Sequence, residues 1–346
     1  MDAAAATAVL TSRQAVPVMD GARRPNTRSP ASGDRMSTRG WNLDAGVEVL
    51  LAELAMSLDR VLPAAGGELV DTLSLLSGPI AHSTIAALVP TAGPAARGEL
   101  VEAALSWLAS LGRLIAAARP PRRWSSDVRQ ERLNRDRVQL LLTRAGCQVP
   151  VLALAGGGQV PTAAAAWLLE LLAHSPDTQA QLANGTPGWA AAAVSEALRL
   201  YPVNWALPRL IIADVELAGQ RLRLASRVLA SPLLLGRDRQ LFPHADTLGD
   251  GYAPQRWLDA ARRPGDWLPF GAGARACPGR GLALAQLRAL AEFVGTTLRL
   301  EPTGAPARMD ARNGLLPDPH LVRLHRRHPA TTQFATAPAN SSAGTG

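Results

Sequence analysis

The stretch from Val149 to Pro176, VPVLALAGGGQVPTAAAAWLLELLAHSP, constrains this chain more than any other. It reads as one long apolar helix, yet its middle defies helix propensity. Gly156, Gly157 and Gly158 each cost a helix about 1 kcal/mol, and Pro161 about 3. A break in an apolar helix calls for a packing or functional cause. Pro161 has no N–H, so an opened turn holding a water is expected there. The triple glycine is not a phosphate loop, because no Gly-Lys-Ser/Thr follows it. No run in the chain reaches the roughly 18 consecutive apolar residues of a membrane span.

Other helices are expected on either side of this one. Val47, Leu50, Leu51, Leu54, Leu58, Val61 and Leu62 recur at helical spacing. LVDTLSLLSGPIAHSTIAALV and GELVEAALSWLASLGRLIAAA continue the helical text, and Arg119 to Arg137 reads as a loop running into a helix. AAAVSEALRLYP is a further helix, stopped by Pro202. The period then changes to two. DVELAGQRL predicts a hairpin turning at Ala218-Gly219, SRVLASP a strand, and LEPTGAPARMDARNGLLPDPHLVRLHRR a closing hairpin. Residues 1–40 and 329–346 are rich in Ala, Ser, Pro, Arg, Thr and Gly without apolar period, and read as disordered. The expected architecture is mainly α with small β-sheets, in one domain over residues 41–328.

The net charge of +8 raises the question of nucleic acid. All 36 basic residues are arginine, a uniformity that beside so much alanine reads as genomic bias. Much of the excess lies in the two polar ends, and no recognition motif accompanies it, so no nucleic-acid partner is expected. The N-terminus lacks a secretory signal, and no membrane association is expected. Two cysteines, Cys147 and Cys277, cannot build a disulfide framework, so a cytoplasmic location is the default.

One of those cysteines stands in an unusual setting. WLPFGAGARACPGRGLALAQL, from Trp267 to Leu287, fences Cys277 with Gly271, Gly273 and Gly279 and then enters helical text. A lone cysteine is more often a small buried hydrophobe than a ligand. Here the glycines let the backbone pass close to something flat, and Arg275 is a fixed cation able to neutralise an acidic group on it. The helix beginning near Gly279 aims free N–H groups at the sulfur, favouring thiolate. Together these describe a thiolate ligand beside a planar cofactor. Zinc does not fit, since no second Cys or His lies at ligand spacing.

FGAGARACPG, Phe270 to Gly279, resembles the Phe-x-x-Gly-x-Arg-x-Cys-x-Gly signature of the cytochrome P-450 haem-thiolate monooxygenases, with all five fixed residues present. SEALRLYP supplies that family's Glu-x-x-Arg as Glu196 and Arg199, and APQRW supplies Arg256 to complete a Glu-Arg-Arg network. ALPRL places Arg209 where the family contacts a haem propionate. The resemblance covers Trp41 to Arg327. It implies a bacterial soluble-type, N-terminally truncated P-450-like fold around haem b, with Cys277 as the iron ligand. It further implies Arg275 and Arg209 on the propionates, Phe270 shielding the sulfur, Gly279 at the cofactor, and a structural role for Glu196, Arg199 and Arg256. A small organic substrate and a ferredoxin or reductase electron donor follow from the same resemblance.

Two departures accompany it. The acid-alcohol pair that handles protons in the family falls on Gln159 and Val160. Gln cannot deliver a proton as an acid, Val does neither task, and Thr162 lies two residues too late. The family's early helices and sheet are also expected to be missing, with residues 1–40 too short and too polar to replace them. The implied function is therefore a monooxygenase with impaired turnover. The alternative is a non-catalytic haem-binding or interaction protein on a degenerate P-450 fold.

Overall fold

The computed structural model describes residues 3–17, 40–62, 67–117, 122, 124–147, 149–242, 251–259, 267–310 and 316–327. The apolar stretch does form one helix, α6 (Val151–Ala173), and it runs through the centre of the molecule. It is long and apolar enough to cross a membrane, but from Pro161 onward almost every residue is buried against protein. Its second half packs in one core with Leu50, Leu54 and Leu58 of α2 (Leu43–Val61) and Leu76 and Ile80 of α3 (Thr72–Leu88). Val194 of α8 (Trp189–Leu200) and Leu290 of α10 (Arg280–Thr297) close that core from the other side. The first half of α6 meets a second cluster. Trp107 of α4 (Pro94–Ala116) and Leu142 of α5 (Ser126–Arg144) pack there against Val151 and Leu154.

Local chemistry explains the helix ends. Asn42 accepts from the Ala45 N–H at 3.0 Å at the start of α2, and Asp71 from Ser74 at 2.8 Å at the start of α3. Ser125 caps α5, and Pro176 opens α7 (Pro176–Ala183), which lies between α6 and α8 in the chain. Such side-chain oxygens satisfy N–H groups that the first turn leaves without intrahelical partners. Gly46 lets α2 and α3 touch: a Cβ there would lie 2.9 Å from the Ala87 Cβ.

The strands form small sheets. β3 (Leu207–Ile211) lies between β1 (Ala15–Pro17) and β6 (Arg227–Ala230). β10 (Leu321–Arg326) lies between β2 (Glu68–Asp71) and β7 (Leu298–Pro302). β4 (Val215–Leu217) and β5 (Gln220–Leu222) make the expected hairpin, with Ala218 and Gly219 both at positive φ, as a two-residue primed turn requires. β8 (Arg308–Asp310) and β9 (Leu316–Asp318) pair inside the long connection from β7 to β10. A short helix, α9 (Pro232–Leu235), follows β6.

Three expectations need correction. Residues 69–71 read as helix but form β2, because Asp71 caps α3 and leaves the preceding residues to pair with β10. α6 stays helical through Gly156–Pro161. And the expected disorder of residues 1–40 does not hold for residues 3–17. These form α1 (Ala3–Thr11) and β1, with Ala3, Ala6, Val9 and Leu10 buried. Alanine is the best helix former, and a short alanine face packs where a bulkier one would not. Residues 18–39 and 328–346 lie outside the described residues.

α1 docks on the cysteine loop. Gly273, at φ +72, would carry a Cβ 3.0 Å from the Thr11 Cα and 3.1 Å from the Leu10 carbonyl oxygen. Both are backbone atoms, so neither yields by rotation. Gly273→Ala is expected to lift α1, at a cost of about 1–2 kcal/mol from the left-handed conformation alone. Limited proteolysis would then cut after residue 11 markedly faster than in the wild type. An unchanged digestion pattern would contradict this packing.

Candidate functional site

Glu196, Arg199 and Arg256 come together in the interior. Glu196 is fully buried, and Arg199 and Arg256 are nearly so. Arg199 donates to the carboxylate in bidentate fashion, Nε to Oε2 at 2.8 Å and Nη2 to Oε1 at 2.7 Å. Arg256 Nε donates to Oε1 at 2.9 Å, the Trp257 indole N–H to Oε2 at 2.8 Å, and the Ala253 backbone N–H to Oε1 at 3.0 Å. Arg199 also donates to the Gly236 carbonyl at 2.6 Å and the Gly251 carbonyl at 3.2 Å. A buried carboxylate is tolerable only when paired and hydrogen-bonded to this degree.

From this network an aromatic row leads to the cysteine loop. The Trp257 and Trp267 rings meet edge to face at 5.5 Å, and Trp267 meets Phe270 at 5.9 Å. The Phe270 carbonyl then accepts from the Cys277 N–H at 2.8 Å. Gly271 at φ +67 and Gly273 at φ +72 make the bends, and the Ala276 N–H closes onto the Gly273 carbonyl at 3.1 Å. Arg280 lies over both Trp267 and Phe270, 5.9 and 5.8 Å from their centroids. Trp257 and Trp267 stand in the motifs read from the sequence, but nothing in the sequence shows that they touch.

Cys277 opens onto a cavity of about 390 Å³ between the N-terminal half of α6 and the start of α10. Arg209, Arg275, Phe270, Gly271 and Gly279 border the same cavity. Arg209 is buried on β3, where its Nη1 donates to the Pro208 carbonyl at 3.1 Å, while Arg275 is exposed. Gly273 does not border the cavity: its missing side chain makes room for α1, not for a flat ligand. Gly279 has an ordinary negative φ, and a Cβ there would be in normal contact with the Cys277 sulfur at 3.9 Å. The expected bias toward thiolate is not found in the protein alone. Burial by surrounding protein raises the Cys277 pKa above its usual value, outweighing the backbone N–H groups of Gly279 and Arg280 that pull it down. A bound metal would reverse this, since it deprotonates a coordinating thiol outright.

The pair Gln159 and Val160 separates. Val160 borders the cavity, whereas Gln159 points to α4, donating from Nε2 to the Leu108 carbonyl at 3.2 Å. Thr162 turns its hydroxyl back onto the Gly158 carbonyl at 2.8 Å. The expected water at Pro161 is replaced by a protein group: Thr84 Oγ1 donates to the Gly157 carbonyl at 2.6 Å. Among the described residues bordering the cavity there is no carboxylate, histidine or hydroxyl; most of the wall is aliphatic, with Trp41, Asn204 and Gln286 as additions the sequence does not single out. Gln286 is 1% exposed, and its Oε1 has no protein partner among the described residues.

The donor set suits one flat, anionic, iron-bearing group. A single sulfur and two guanidinium groups border one largely apolar cavity, and no cluster of three His, Cys, Asp or Glu residues exists among the described residues to hold a bare metal ion. Residues 190–323 match the family described as cytochrome P450. Cyclooctatin synthase of Streptomyces melanosporofaciens is 39% identical over 132 residues, covering 33% of this chain and 28% of that protein. Cyclooctat-9-en-7-ol 5-monooxygenase of the same organism is 35% identical over 112 residues, 32% of this chain and 24% of the relative. Drimenol monooxygenase of Persicaria hydropiper is 32% identical over 145 residues, 40% and 27% respectively. The matched segments thus span about a quarter of these relatives. Among solved structures, CYP175A1 from Thermus thermophilus superposes with a TM-score of 0.72 at 23% identity, over 94% of this chain and 88% of that one. A 6-coordinated cytochrome P450 from another strain of Thermus thermophilus superposes at 0.67, with 22% identity over 94% and 91%.

Removing the central carboxylate tests the network. Glu196→Ala leaves two buried guanidinium groups without their counter-charge, and breaking a buried ion pair costs about 3–5 kcal/mol. The urea unfolding midpoint is expected to fall accordingly, with a change in the tryptophan fluorescence arising from Trp257 and Trp267. A midpoint within error of the wild type would contradict this account of the network.

Proposed function

We propose that this chain belongs to the cytochrome P450 family, binds haem b in the cavity beside Cys277 and acts as a haem-thiolate monooxygenase. The observation that carries the reading is the joint border of Cys277, Arg209 and Arg275 on one apolar cavity. In this reading the Cys277 sulfur is the iron ligand, and the two guanidinium groups take the propionates. A thiolate-bound haem supplies the electron push that favours O–O cleavage. One oxygen atom of O₂ enters a C–H bond of the substrate and the other leaves as water. The two electrons come from a ferredoxin or reductase and the two protons from solvent, and a cytoplasmic setting suits such a donor.

The chain's own residues then have defined tasks. Phe270 and the Glu196 network hold the sulfur in place through the Trp257–Trp267 row. Ala153, Val160, Val203 and Leu207 exclude water and accept a hydrocarbon surface. Two relatives are named as monooxygenases of cyclooctat-9-en-7-ol and drimenol, and the aliphatic wall fits a substrate of that apolar, alicyclic kind. The absence of carboxylate and hydroxyl from the described wall favours a second reading, a haem protein with little turnover, in which protons reach oxygen only by way of water or a hydroxyl on the substrate.

Two outcomes are expected. Reduced, carbon-monoxide-treated wild type shows the red-shifted Soret band of thiolate ligation, and Cys277→Ala abolishes it. A colourless wild type, or a band matching histidine ligation, would overturn the assignment. Second, Val160→Thr puts a hydroxyl on the wall facing the cofactor. The ratio of product to reductant consumed is then expected to rise toward one, because a positioned proton donor speeds the productive step. Tight coupling already in the wild type would point to protonation by the substrate itself. Gln159→Glu is not expected to help, because its carboxylate would face the Leu108 carbonyl.

A further inference from the structure

Pro161 has no N–H, so the Gly157 carbonyl, one turn earlier on α6, lacks its ordinary i+4 donor. The turn from Gly157 to Pro161 borders the cavity, and so does Val160 within it. An unsupported turn would leave that wall free to shift. α3 supplies what the proline removes. Thr84, 1% exposed, donates its hydroxyl to the Gly157 carbonyl at 2.6 Å.

Access depends on the glycine, since a Cβ on Gly157 would lie 2.6 Å from the Thr84 Cγ2. Direction depends on Gln286 of α10. Its Nε2 donates to Thr84 Oγ1 at 3.2 Å and to Ser83 Oγ at 2.9 Å. Ser83 Oγ in turn donates to the Gly46 carbonyl at 2.6 Å. Both hydroxyl protons are thereby committed to backbone carbonyls, so both oxygens act toward Gln286 as acceptors. That fixes the amide orientation as well. The result is a hydrogen-bonded thread from the helix that follows Cys277, through α3, to the cavity wall on α6.

We infer that Thr84 is a positioning residue whose hydroxyl replaces the missing amide of Pro161, and that Gln286 orients it. Gly157, Pro161 and Thr84 form one device: each of the three explains the other two. The thread links the two helices that bound the cavity. It bears on the proposed haem site, but it stands on protein groups alone and is tested without cofactor. Failure of haem binding and failure of this inference are therefore separate results.

Hydrogen exchange of the full chain, followed in α6 from Gly158 to Ala165, reads the device directly. Thr84→Val keeps the shape and removes the hydroxyl. Exchange there is expected to accelerate about tenfold, the effect of orphaning one buried carbonyl. Thr84→Ser, which keeps the hydroxyl, stays close to the wild type. The decisive variant is Pro161→Ala, which returns an N–H to the Gly157 carbonyl. In that background Thr84→Val is expected to change exchange little. Should Thr84→Val alone not fold, folding of the Pro161→Ala/Thr84→Val double variant supports the inference. Equal acceleration in both backgrounds, no acceleration in either, or failure of both variants to fold would overturn it.

Discussion

The carboxylate of Glu196 is the interaction on which the site depends. It lies fully buried and accepts from Arg199, Arg256, Trp257 and the Ala253 backbone. A charge so placed survives only by gathering donors, and the donors come from two distant parts of the chain: α8 and the turn at Ala253–Trp257. Gathering them brings Trp257 against Trp267, Trp267 against Phe270, and the Phe270 carbonyl onto the Cys277 amide. The position of the one sulfur on the cavity is thus tied, contact by contact, to how one buried charge is satisfied.

The cavity's other side is built on a different constraint. α6 must be apolar to lie at the centre of the core, yet it must also make room where it passes the cavity. Gly156, Gly157 and Pro161 make that room, the glycines at the expense of helix propensity and the proline at the expense of a backbone hydrogen bond. α3 compensates through Thr84. The weak point of this core helix is therefore held from outside, and it coincides with the cavity wall.

The cysteine loop, the Glu-Arg-Arg set and the strand text after Pro202 are legible in the sequence, because each is a local pattern with a chemical meaning. Gly273 misleads for a physical reason. A glycine beside a cysteine signals close approach, but a linear motif does not say what approaches; here it is α1. The same limit hides Thr84 and Gln286. Pro161 announces a carbonyl without a donor, but that donor lies 77 positions earlier in the chain, beyond any periodic signal. Composition alone suggests disorder for residues 3–17, since alanine packs well only against a surface that a sequence does not display. Gln159 and Val160 read as neighbours sharing a task, whereas successive helical positions lie about 100° apart and face different partners.

The central claim is that one sulfur, held by the Glu196 network, binds iron in this cavity. X-ray absorption at the iron edge of the haem-loaded protein tests it most directly. The account predicts one sulfur scatterer in the first shell of the wild type, lost in Cys277→Ala. A first shell of nitrogen and oxygen alone in the wild type, or a sulfur that persists in Cys277→Ala, would contradict it.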